Sequence, residues 1–79
     1  MELFAAGYRY WSVKTQDDTD GYIGLKVFRE QSGEQDEVAS VIYWDATGEI
    51  AVSMLVDEMP IEAIESAANE VRKMAGLSK

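Results

Sequence analysis

Before Val56 several stretches alternate apolar side chains at every second position, and after Pro60 apolar side chains recur at every third or fourth position. This change of period restricts the fold more than any other feature. A β-strand sends successive side chains to opposite faces, whereas an α-helix returns to one face every three to four residues. Ile23, Leu25 and Val27 alternate with Gly24 and Lys26, and Ile50, Val52, Met54 and Val56 repeat the pattern. Val38, Ile42 and Trp44 fall on one face of a further strand, with Ala39, Val41 and Tyr43 on the other. Beyond Pro60, the residues Ile61, Ile64, Ala68, Val71 and Ala75 draw a single helical stripe.

Turn chemistry sets the limits. The segment from Gln16 to Gly21 is a polar loop closed by glycine, Gln31 to Asp36 is a turn around Gly33, and Asp45 to Gly48 is a tight hairpin. Strands are expected over about Gly7 to Thr15, Tyr22 to Glu30, Glu37 to Trp44 and Glu49 to Val56. A helix is expected from Pro60 to about Ala75, with Asp57, Glu58 and Glu62 at its positive end, Arg72 and Lys73 at its negative end, and Gly76 as C-cap. Short connections favour an antiparallel meander. The expected fold is α+β: a four-stranded antiparallel β-meander followed by one C-terminal α-helix packed on the sheet (ββββα), in a single domain over residues 1–79. The face away from the helix is expected to carry Tyr8, Tyr10 or Trp11, Phe28 and Tyr43, unless Leu3 and Phe4 cover it.

The chain has no cysteine and no histidine, which excludes disulfides, His- or Cys-based catalytic triads and structural zinc. Its glycines form no phosphate-binding pattern. Aligning Gly21 with the fixed glycine of a calcium loop places Asp18 and Asp20 as ligands, but Gln16 and Val27 stand where the first ligand and the bidentate glutamate belong. That segment reads as an acidic hairpin loop. The carboxylate pairs Asp57–Glu58 and Glu62–Glu65 have a structural reason at a helix start, so no catalytic, cofactor or metal residue is assigned. No apolar run approaches the roughly 18 residues of a membrane span, and no signal peptide is legible, so a cytoplasmic location is expected.

Fifteen acidic residues face seven basic ones, for a formal charge of −8. That balance opposes direct contact with nucleic acid or anionic lipid and favours a basic partner. In a meander the second turn and the helix start fall at one end, which gathers Glu34, Asp36, Glu37, Asp57, Glu58 and Glu62, with Glu65 extending the patch. Arg72, Lys73 and Lys79 run toward the opposite end. These seven acids are the expected partner-binding residues.

In size, acidity, lack of Cys and His, and sheet-plus-helix build, the chain resembles the small phage-encoded inhibitors called anti-CRISPR proteins. The resemblance implies a nucleic-acid-mimicking inhibitor that presents carboxylates to the basic groove of a CRISPR-Cas effector subunit in the host cytoplasm. Two other readings stay open. One is an interaction module that homodimerises through its aromatic sheet face, and the other is an immunity or antitoxin-like protein that neutralises a basic toxin. The chain is expected to be a monomer or weak homodimer and not an enzyme.

Overall fold

The computed structural model describes residues 1–76, so Lys79 lies outside the described residues. In chain order the elements are β1 (Glu2–Ala5), β2 (Tyr8–Asp17), β3 (Tyr22–Gln31), β4 (Glu34–Trp44), β5 (Glu49–Met54) and α1 (Ile61–Met74). The strands form one antiparallel sheet in the order β1-β2-β3-β4-β5, each beside its sequence neighbour. The chain is α+β with a C-terminal helix, as the change of period predicts, but the meander has five strands rather than four. No described helix is long and apolar enough to cross a membrane.

The additional strand, β1, is joined to β2 by Ala6 and Gly7, both at positive φ (52° and 83°). Two such residues make the type I′ turn whose twist matches that of a hairpin. Ser32 and Gly33 do the same between β3 and β4 (54° and 84°). The expected turn over Gln31 to Asp36 therefore contracts to two residues, and Glu34, Asp36 and Glu37 belong to β4. At the opposite end the amide of Gly48 donates to the Trp44 carbonyl at 2.8 Å, closing the expected Asp45–Gly48 hairpin.

Directly paired residues on antiparallel strands share a face. Leu3 pairs with Tyr10, Val27 with Ala39 and Leu25 with Val41, and these residues all join the core under the helix. Val27 pairs with Ala39 but Phe28 pairs with Glu37, so β4 carries one extra residue, Val38. The bulge puts Val38 and Ala39 into the core together, where simple alternation would separate them. The core is completed from the helix by Ala63, Ala67 and Val71.

The helix is rotated relative to the expected stripe. Val71 is buried, Ile64 and Ala68 are half-buried, and Ile61 is 59% exposed. Small residues at Ala63 and Ala67 let the backbone of α1 approach the sheet, and the bulkier isoleucines are turned to its flank. Glu70 also ties α1 to β1 and β2: its carboxylate accepts from the Met1 ammonium at 2.7 Å, and Ser12 accepts from the same ammonium at 2.7 Å.

Candidate functional site

The helix covers one face of the sheet, and no described element covers the other. Tyr8 and Tyr43 lie on the helix side, contrary to expectation, and of the alternatives Tyr10 and Trp11 it is Tyr10 that lies there, fully buried. The open face instead carries two aromatic pairs. Trp11 stacks on Phe28, its directly paired neighbour, with centroids 4.6 Å apart. Tyr22 meets Trp44 edge-on at 5.3 Å, again across a register pair. Cross-strand aromatic pairs of this kind stabilise the sheet itself. They also place four aromatic rings on the uncovered face.

Phe4 at the β1 edge is 77% exposed, Trp44 is 39% exposed, and Val13 is also exposed. Leu3 and Phe4 do not cover this face: Leu3 packs on the core and Phe4 points outward. Arg9 closes one side, its guanidinium 5.8 Å from the Trp11 ring centre and donating to Glu2 at 2.6 Å and Glu30 at 3.1 Å. The hydrogen bond to Glu2, then that to Glu30, raises the Arg9 pKa above its ordinary value. The Trp11 indole nitrogen is buried on this face without a hydrogen-bond partner among the described residues. Toward β4 and β5 a shallow groove runs between Tyr22, Lys26, Glu37 and Trp44.

All seven acids read from the sequence are exposed. None of them enters an ion pair among the described residues. They do not form one flat patch. Glu34 and Asp36 line a notch with Tyr8 and Arg29, and Glu58 lines the adjoining cleft with the same Arg29. Glu37 stands beyond the bulge on the open face, Asp57 is in the connection after β5, and Glu62 and Glu65 project from α1. Arg29 lies with its guanidinium carbon 4.5 Å from the Tyr8 ring centre, a cation–π contact. Its cleft, about 500 Å³, is bounded by Tyr10, Met59 and Pro60.

The acidic loop after β2 is occupied by its own backbone. The Asp17 carboxylate accepts from the amides of Thr19 at 2.9 Å and Asp20 at 3.1 Å, and Gln16 donates to Asp18 at 2.9 Å. Among the described residues, no three Asp or Glu side chains converge as metal ligands would.

Sequence reasoning missed the Tyr22–Trp44 pair and Val13 as parts of the open face. The parity of Tyr22 with Lys26 and Phe28 along β3 carries that signal. Comparison with protein-family models, with curated proteins and with solved structures finds no match to the chain.

Proposed function

We propose that this chain is a cytoplasmic, non-enzymatic protein-binding module that engages its partner through the open face of the sheet. The uncovered surface from Phe4 through Trp11 and Phe28 to Tyr22 and Trp44 carries this reading. Protein interfaces concentrate aromatic residues at a core depleted of charge, with charged residues at the rim. Here the aromatic pairs occupy the middle, while Arg9, Glu2, Glu30 and Glu37 stand around them.

A second reading is supported by the seven exposed acids without ion-pair partners. In it the chain is a charge mimic that occupies the basic groove of a nucleic-acid-handling machine, such as a CRISPR-Cas effector, or neutralises a basic toxin. Its acids gain rate and specificity for a basic partner more than affinity.

One capture experiment separates the two. Proteins retained by the immobilised chain are compared for wild type, for Phe4→Ser/Trp44→Ser, and for Asp36→Lys/Glu58→Lys/Glu62→Lys, which avoids Glu37 on the open face, each verified as folded by circular dichroism. The open-face reading expects loss with the aromatic variant and retention with the charge variant. The reverse pattern overturns it in favour of the mimic. Tyr10 and Tyr43, on the helix side, are unsuited to this test.

A further inference from the structure

Of the two sheet edges, β1 is protected and β5 is not. β1 has four residues, and Glu2 at its start is held by Arg9. Natural edge strands are blunted by shortness, by charge, by proline or by bulges, because an unpaired row of backbone groups accepts another strand. The stretch from Ile50 to Val56 contains no charged residue, proline or glycine. It is bracketed by Glu49 and Asp57. The helix packs chiefly on β1, β3 and β4, and of the outer strand Ile50 reaches the core while Val52 and Met54 stay exposed. Val52 and Met54 are exposed on its helix-side face, and Leu55, which continues the strand with its amide on the Val38 carbonyl, is 64% exposed. Three of the exposed large apolar residues thus follow one another along this edge.

We propose that β5 pairs antiparallel with β5 of a second copy about a twofold axis normal to the sheet, joining two five-stranded sheets into one. The charge pattern selects this occupant. The stretch offers no charge to draw a basic strand and matches one as uncharged as itself, which a second copy supplies. In a twofold pairing centred on Val52, Ile50 faces Met54 of the other copy, Ala51 faces Ser53, and Val52 faces its own equivalent. Glu49 then faces Leu55, so the flanking acids never oppose each other. A parallel pairing in register would set Glu49 against Glu49, which is unfavourable. The twofold keeps both helices on one side, so Val52 and Met54 of both copies share one apolar floor. It also keeps the acid-bearing ends of the two copies apart. This edge is separate from the open face, and the inference does not depend on the reading proposed above.

The test is sedimentation velocity across a dilution series, with folding of every variant checked by circular dichroism. Wild type is expected to show a reversible monomer–dimer equilibrium that tightens as salt rises, because salt screens the repulsion between two chains of formal charge −8. Val52→Lys and Val52→Glu each place like charges opposite each other and should weaken the dimer by about tenfold or more, while their equimolar mixture recovers it. The cysteine-free chain allows a second check: Val52→Cys should oxidise to a disulfide-linked dimer and Phe4→Cys should not. Trp44→Ser, which affects the open face, should leave the dimer unchanged. A wild type that stays monomeric throughout, a mixture that fails to recover, or a monomer that captures a foreign strand peptide at β5 overturns the proposal.

Discussion

Replacing Gly24 with alanine should be among the most damaging single-methyl changes in this chain. Gly24 pairs with Ile42 between β3 and β4. A Cβ at that position would lie 2.2 Å from the Val41 carbonyl oxygen, 2.8 Å from Ile42 Cδ1 and 2.9 Å from Ile42 Cα. The Ile42 methyl can swing away, but the carbonyl and Cα cannot. A carbon needs about 3.3 Å from a carbonyl oxygen, so the two strands must part by roughly 1 Å. That separation takes neighbouring ladder bonds from about 2.9 Å beyond hydrogen-bonding distance. Losing two bonds at about 1 kcal/mol each, with overpacking strain of about 1–3 kcal/mol, gives a cost of about 3–5 kcal/mol. A chain of 79 residues has a total stability of about 4–12 kcal/mol. Urea unfolding followed by the fluorescence of Trp11 and Trp44 measures the loss. With a slope of about 1–2 kcal/mol/M, the midpoint should fall by about 1.5 M or more, or the variant should fail to fold. A change within about 0.5 kcal/mol, the size of an ordinary surface substitution, would refute the close approach of β3 and β4 at this point.

The helix register gives a paired expectation: Ala67→Leu should cost about 1–3 kcal/mol in thermal unfolding because it forces α1 off the sheet, whereas Ile61→Ser should stay within about 0.5 kcal/mol. If Ile61→Ser is the more damaging of the two, the helix is packed on the other stripe. At the β3–β4 turn, Gly33→Val should cost about 1–2 kcal/mol by chemical denaturation, because φ of 84° is left-handed backbone that a β-branched residue resists.

Much of the fold was legible because long alternating stretches and turn residues agree with each other. β3, the Asp45–Gly48 hairpin and the start of β5 follow from parity and turn chemistry alone, although the strand expected to reach Val56 ends at Met54. β1 was hidden because four residues cannot establish a period and Ala6 is not a usual residue for positive φ. The bulge at Val38 has no sequence signature of its own, and it decides which side of the sheet Val38 and Glu37 face. The helix stripe misled because isoleucine reads as more hydrophobic than alanine, yet close approach to a sheet rewards the smaller side chain. The acids were legible as exposed, but their distribution over several surfaces required the register of β4. The open aromatic face was half legible: Phe28 was placed correctly, the choice between Tyr10 and Trp11 was left open, and Tyr8 and Tyr43 were assigned to the wrong side.

The nearest-neighbour order of the strands also bears on how the molecule comes into being. Every strand pairs with the one made just before it, so loop closure is cheap at each step and the sheet can grow as the chain leaves the ribosome. The helix that supplies Ala63, Ala67 and Val71 follows the whole sheet. A chain folded only as far as Val56 would therefore hold a sheet with two bare faces and a last strand whose one charge is Glu49. Docking of α1 is therefore the step that closes one bare face and separates a finished fold from one still open to mispairing.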